Sequence, residues 1–294
     1  MSGKRKVILH YHIFKNAGTS VDHMLKESLG ERWVEWDTSD PGAKISAAEI
    51  ETYILDHPGI VAVSSHQAVP PLPSRHLDVY PVIFLRHPID RAYSAYLFEW
   101  KKQKGAESPT GHFEEYVAEK FRHPRKNAIE DFQTLHLANR GYENRWPSGA
   151  LDDEEILRNA KEFLLSLPFF GMVEDYARSM AQMKEVFAKP FPELSFKAFR
   201  DNALQDPAQS LYDKIRDLRQ AISPDVFNQL VLRNQMDLRL FEFANACFGL
   251  WRGPRGGGHP KQPANVTEAA SGKARRRKPS EGSQEGGGAS NGST

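Results

Sequence analysis

Residues 6 to 13, KVILHYHI, form a short apolar run, and the next apolar positions, Val21, Met24, Leu25 and Leu29, recur at the spacing of a helix face. The pattern predicts a strand, a loop and a helix in direct succession. Residues 59 to 65 (GIVAVSS) and 81 to 86 (PVIFLR) are short, β-branched runs of the kind covered on both faces in a parallel sheet, and 168 to 173 (PFFGMV) is a candidate further strand. Between the first two runs, 46 to 56 (SAAEIETYILD) predicts a helix with Ser46 as N-cap and Glu49 as its capping-box partner. Another helix is expected after His87, where Pro88 at the first position and Asp90 in the first turn suit the unpaired amides and the positive dipole end. Helical periodicity returns over 111 to 122, 127 to 139, 152 to 166, 174 to 188 and 224 to 247.

Strands alternating with helices imply an α/β fold, a parallel sheet flanked by helices with right-handed crossovers, and here a helical C-terminal portion. From Arg252 the composition turns to Gly, Pro, Ser, Lys and Arg with almost no large apolar side chain. Such a segment cannot offset its ordering entropy, so a single domain over residues 1 to 251 and a disordered tail over 252 to 294 are expected. The charges nearly cancel, 39 Lys and Arg against 38 Asp and Glu, so no global field suits a specific nucleic-acid partner, and the basic run Lys273 to Lys278 reads as a solvated stretch of the tail. No run of about 18 apolar residues predicts a transmembrane segment. One cysteine, Cys247, allows no internal disulfide; with no secretory cleavage pattern after the basic N-terminus, a soluble, cytoplasmic protein is expected.

In such folds ligands bind at the carboxyl ends of the strands, which directs attention to the turns after residue 13, Ser65 and Arg86. The first turn, Phe14-Lys15-Asn16-Ala17-Gly18-Thr19-Ser20, has the makings of an anion cradle. Small Ala17 and Gly18 let backbone amides approach, Thr19 and Ser20 add hydroxyls, Lys15 adds a charge, and a helix dipole follows. It is not a Walker A loop, because Thr19 stands where that motif needs lysine. The strand ending in Arg86 carries a cation where a nucleotide hydrolase commonly places a magnesium-holding aspartate. On the next helix Arg91 and Ser94, three apart, share a face, and Ser94 offers a hydroxyl toward the same anion. Singly, these features read as an ordinary strand-to-helix turn, an ion pair and a surface hydroxyl; together they imply a nucleotide site that binds an additional anionic group.

The segment His12-Ile13-Phe14-Lys15-Asn16-Ala17-Gly18-Thr19-Ser20 resembles the H-I-P-K-T-G-G-T-S loop of the sulfotransferase family that includes heparan sulfate 2-O-sulfotransferase. The segment from Leu85 to Tyr96, LRHPIDRAYSAY, is similar to that family's L-R-D-P-x-x-R-x-x-S-x-Y. Asp131-Phe132-Gln133-Thr134 resembles its N-x-Q-T, Phe170 to Glu174 its v-G-l-x-E, and Asp237 to Phe241 its D-x-x-L-Y, so the likeness runs in order over roughly residues 6 to 248. Phe14, Asn16 and Ala17 depart from the usual Pro, Thr and Gly, and Asp131 from the usual Asn.

The resemblance implies a P-loop-NTPase-like sheet and transfer of a sulfuryl group from 3′-phosphoadenosine-5′-phosphosulfate (PAPS) to a hydroxyl of an acceptor, a sugar or polysaccharide. It implies that Lys15, Asn16, Ala17, Gly18, Thr19 and Ser20 hold the 5′-phosphosulfate, that Arg86 and Ser94 hold the 3′-phosphate, and that no metal takes part. Lys15 would neutralise charge on the bridging oxygen. A base must accept the acceptor's proton, and histidine suits neutral pH. Val63-Ser64-Ser65-His66 lies where the 2-O-sulfotransferases carry H-G-H, so His66 matches the second histidine, and Ser64 replaces the first. His12, on one strand face with His10, is expected to orient the loop; His87 and His136 stand as further candidates. Trp33, Trp36, Trp100 and Trp146, with Lys101, Lys102 and Lys104, are candidates for acceptor contacts. Two other readings stay open: a divergent P-loop kinase using ATP and Mg²⁺, and a non-enzymatic nucleotide- or polyanion-binding protein working through its basic tail.

Overall fold

The protein's computed structural model describes residues 3–104, 113–122, 127–139, 152–196, 209–250 and 253, with the backbone alone over 100–104. The proposed tail, apart from Gly253, lies outside the described residues, as do Trp146 and the side chains of Trp100, Lys101, Lys102 and Lys104. The chain forms β1 (Arg5–Tyr11), α1 (Gly18–Leu29), β2 (Trp33–Glu35), α2 (Ala47–Asp56), β3 (Ala62–Ser65), β4 (Leu77–Val82), β5 (Phe84–Leu85) and α3 (Pro88–Lys104). There follow α4 (Phe113–Arg122), α5 (Phe132–Leu137), α6 (Asp153–Ser166), β6 (Gly171–Met172), α7 (Tyr176–Phe187), α8 (Leu211–Ala221), α9 (Pro224–Leu232) and α10 (Gln235–Gly249).

The fold is α/β. Four strands pair in parallel in the order β2-β3-β1-β4, and β5 pairs in parallel with β6. Alternation along β1 divides the core. Val7, Leu9 and Tyr11 share one apolar cluster with Ile50 and Ile54 of α2, Leu157 and Leu164 of α6 and Leu240 and Ala244 of α10. Ile8 belongs to the other, with Val21, Met24 and Leu25 of α1 and Met180, Met183 and Phe187 of α7. Continuing the period, His10 and His12 extend the face that meets α1, and this places them against its first turns. A third cluster joins α3, α4, α8 and α9 through Ala92, Tyr96, Val117, Leu218 and Phe227.

The predicted cap of α2 is present: Ser46 Oγ accepts from the Glu49 amide, and Glu49 accepts from the Ser46 amide at 2.8 Å. Several expected boundaries differ for physical reasons. The helix expected over 224 to 247 is two helices, because buried Asn234 turns its side chain onto Leu230 O and Ile129 O, at 2.9 and 2.8 Å, and interrupts the apolar period. The one expected over 127 to 139 shrinks to α5, since Asp131 adopts a left-handed φ of 46° just before it. The strand expected over 81 to 86 is two segments, and the first begins at Leu77, where the alternation of LDVY resembles a surface strand. Among the described residues no helix is long and apolar enough to cross a membrane.

Candidate active site

β1 continues its ladder one step past Tyr11, with the His12 amide donating to Ser65 O at 2.9 Å, and then releases the chain into the predicted anion loop. Lys15 and Ala17 take φ of 66° and 61°, the left-handed region. Such residues cost about 1–3 kcal/mol each and persist where surrounding contacts hold them, often at ligand sites. Ala17 is the N-cap of α1. A left-handed residue leading into a right-handed helix turns successive amides into a concavity, and the first amides of the helix, Gly18 and Thr19, have no intrahelical acceptor. The Lys15 ammonium lies 4.4 Å from the centre of the Phe98 ring and 5.9 Å from that of Phe14. The substitution of Phe for the family's Pro at position 14 thus gives the cation an aromatic wall.

Asn16 has a different task from its neighbours. Its Nδ2 donates to Phe84 O and Gln133 Oε1, each at 2.8 Å, and its amide donates to Ile13 O at 3.1 Å. It ties the loop to the end of β5. The Ser20 amide closes onto Ala17 O at 3.0 Å and the residue is buried, which leaves Thr19 as the exposed hydroxyl. Gly18 is small for a reason the sequence did not show: a Cβ there would lie 2.0 Å from His12 Cδ2 and 2.1 Å from Nε2. Gly18→Ala is expected to displace the imidazole and lower stability by about 1–3 kcal/mol, as overpacking does. Thermal unfolding checks this, and an unchanged midpoint would mean that His12 moves aside without cost.

Arg86 leaves the end of β5 beside the same loop. Its Nη1 donates to Lys15 O at 3.1 Å and its Nε to Asp90 Oδ2 at 2.7 Å, which orients the guanidinium across the loop's mouth. Half-buried Ser94 lies four residues beyond Asp90 and so on the same face of α3. Arg91 turns inward instead: fully buried, it approaches Asp237 at 4.0 Å and lies over the Phe132 ring at 4.8 Å.

The weak likenesses at 131–134 and 237–241 are the loop's support. Gln133 Oε1 accepts from the Arg86 amide at 3.0 Å as well as from Asn16, and its Nε2 donates to Arg86 O at 2.9 Å. The Asp237 carboxylate accepts the amides of Gln133 and Thr134 at 3.2 and 2.7 Å, while the Asp237 amide donates to Asp131 Oδ1 at 3.0 Å. A buried polar network therefore fixes the anion loop and the Arg86 backbone to each other. Its signal in the sequence was the likeness at 131–134 and 237–241, which did not show that the two segments bond to each other.

His66 stands at the end of β3, with 37 % of its side chain exposed. Asp37 grips it twice, through Nδ1 at 2.8 Å and through its backbone amide at 2.9 Å. With Nδ1 engaged, Nε2 is the nitrogen left for a proton transfer. Burial lowers the pKa of His66, but the hydrogen bond and charge of Asp37, with Glu35 and Asp22 adding, outweigh it and raise the group above its usual 6.5. The His66 ring stacks on His12 with centroids 3.9 Å apart, and His12 on His10 at 5.2 Å. Asp22 of α1 meets both inner rings, at 2.8 Å from His10 Nδ1 and 2.7 Å from His12 Nδ1. Burial drives His12 down to about 4 despite its bond to Asp22, so the ring is neutral at pH 7. Ser64, where the family carries its first histidine, lies 3.1 Å from His10 Nδ1, so β1 supplies an imidazole at that place.

Burial also depresses His87 and His136 to about 4; the first packs edge-on against Phe241 and the second is nearly inaccessible in α5. Trp33 donates to Ser64 Oγ at 2.9 Å, and Trp36 lies flat on Tyr53 at 4.2 Å, so each has a partner within the fold. Asp22, Asp37 and Glu35 carried no mark in the sequence, since an acidic residue within a helix or at the end of a short strand is ordinary. His10, His12 and Asp22, or Glu35, Asp37 and His66, have the donor types to hold a metal ion, but their closest N–O distances, 2.7 and 2.8 Å, are those of hydrogen bonds.

The ends of β1, β3 and β5 thus bring together the loop with its left-handed residues, the cations Lys15 and Arg86, and a carboxylate-held imidazole. A relative 30% identical over 251 residues, an uncharacterized protein of Archaeoglobus fulgidus, covers 81% of this chain and 95% of its own. The crystal structure of a sulfotransferase from Alicyclobacillus acidocaldarius aligns with a TM-score of 0.40 and 16% identity over 84% of this chain and 97% of that one. The model of the Sulfotransferase family matches residues 1–244, a span that holds every strand among the described residues and both segments expected to bind anions, and the chain belongs to that family.

Proposed function

We propose that the protein transfers a sulfuryl group from PAPS to a hydroxyl of a carbohydrate acceptor, with His66 as the base. The observation that carries this reading is the unbroken contact from base to donor loop: Asp37 holds His66, His66 stacks on His12, and His12 lies against Gly18 at the start of α1. In this reading the amides of Ala17, Gly18 and Thr19 with the Thr19 hydroxyl hold the phosphosulfate oxygens. Lys15 neutralises charge as the bridging oxygen departs, and Arg86 with Ser94 takes the 3′-phosphate. Such transfer depends on in-line placement and electrostatic stabilisation more than on covalent help, and no metal is required. Exposed Glu35, 3.8 Å from His66 Nδ1, supplies an acceptor for a polyhydroxylated molecule beside the base. The catalytic domain is residues 1 to 251, with 252 to 294 an appended tail, and the single Cys247 supports a cytoplasmic setting.

Transfer of labelled sulfate from PAPS to a panel of oligosaccharides tests the activity and begins to identify the acceptor; consumption of ATP without any use of PAPS would replace this reading with a kinase. The cofactor assignment has its own test. The product 3′,5′-adenosine bisphosphate should bind much more tightly than AMP, which lacks only the 3′-phosphate. A hydrogen bond to a charged group contributes about 1.5–3 kcal/mol, so Arg86→Ala should weaken the bisphosphate by roughly 10- to 100-fold and leave AMP nearly unchanged. Equal wild-type affinities, measured by calorimetry, would remove PAPS from consideration.

A further inference from the structure

We propose that Asp22 is the positioning residue of the reaction: through His12 it fixes the imidazole of His66. The proposal rests on the reading of His66 as base. A histidine aligned for proton transfer needs its ring held in the plane and across it. Asp37 provides the first constraint by binding Nδ1, and the face of His12, 3.9 Å away, provides the second. His12 can serve as that face only if it is itself immobile.

Asp22 makes it so. Its two oxygens meet the two Nδ1 atoms of the alternate β1 positions His10 and His12, and its side chain is only 12 % exposed. The approach to His12 is short but out of line with the ring N–H. At 2.7 Å a bare nitrogen lone pair facing the carboxylate oxygen would be repelled, so His12 carries its proton on Nδ1. One anion thus holds both inner rings as Nδ1–H tautomers and leaves His12 Nε2 beside Gly18. Burial raises the pKa of Asp22, but its contacts with His10 and His12 outweigh it and hold the group far below the usual carboxylate range. Around His66 itself stand Glu35 at the end of β2 and Asp37 just after it, Asp22 on α1, His12 after β1 and His136 on α5. Asp22 therefore also supplies part of the negative field that raises His66.

The test uses the full chain labelled with 15N-histidine. In the wild type, imidazole spectra should show His12 neutral with its proton on Nδ1. In Asp22→Asn, the His12 tautomers should mix, the His66 titration should move to lower pH, and release of 3′,5′-adenosine bisphosphate from PAPS with the pooled oligosaccharides should slow by roughly 10- to 100-fold, as for other residues that orient a functional histidine. Affinity for added 3′,5′-adenosine bisphosphate should stay within about twofold of wild type, and Asp22→Glu should restore part of the rate. A folded Asp22→Asn with wild-type turnover and an unmoved His66 titration overturns the proposal. So does a wild-type His12 protonated on Nε2, a result that needs no variant to fold. His66→Ala separates the two readings: if it stays active the base assignment fails, whereas an inactive His66→Ala beside a fully active Asp22→Asn removes Asp22 alone.

Discussion

Replacing His66 with alanine should lower sulfate transfer by roughly 10² to 10⁴, the contribution of a positioned general base, and leave 3′,5′-adenosine bisphosphate binding near the wild-type value. The side chain is accessible enough to meet an acceptor, and its in-plane partner, Asp37, leaves Nε2 for the proton. The pH profile follows with a definite sign. A base works only when deprotonated, so the rate rises as pH passes upward through its pKa. Burial lowers that pKa, but Asp37, Glu35 and Asp22 bring it above 6.5, and the rising limb should lie above 6.5 accordingly. Asp37→Asn removes the strongest raising influence, so the limb should move to lower pH while the maximal rate falls through loss of the fixed tautomer. Undiminished transfer by His66→Ala would send the search for the base elsewhere.

The largest effect on stability is expected at Gln133. The residue is 1 % exposed and its side chain makes four hydrogen bonds, to Asn16 Nδ2, the Arg86 amide, the Arg86 carbonyl and Asp237. Gln133→Leu keeps much of the volume and strands several of those partners away from water. Each buried polar group left unpaired costs about 1–3 kcal/mol, so a loss of about 3 kcal/mol or more is expected. The midpoint of chemical denaturation measures it. Because the same bonds place the Arg86 backbone, the surviving folded protein should also bind 3′,5′-adenosine bisphosphate more weakly. A variant as stable as wild type would show that the network contributes little beyond shape.

Much of this arrangement could be read from the chain, for identifiable reasons. The β1-loop-α1 unit and the capped α2 were legible because each depends on neighbours in sequence: an apolar run, small residues before a helix, a Ser and a Glu three apart. Lys15, Arg86 and His66 were legible because each follows the carboxyl end of a strand, where parallel sheets put their ligands. Asp22 and Asp37 were not, since their importance comes from rings that only the sheet register brings to them. Asn16 and Gly18 were legible as positions but not in purpose; one anchors the loop and the other makes room for His12. β2 escaped notice because three residues cannot display a period, and α8 because its polar sequence buries only Leu218 among its residues.

The two left-handed residues of the loop carry a thermodynamic consequence. Lys15 and Ala17 flank Asn16, whose side chain is bonded into the core, so the unfavourable backbone state is set when the protein folds. An arriving anion then meets amides that already converge. Immobilising loops and side chains normally subtracts from the affinity of an association, and a loop organised beforehand escapes most of that loss. For the proposed sulfuryl transfer the benefit would extend to the rate, because dipoles that are already aimed need not reorganise as charge moves to the leaving oxygen.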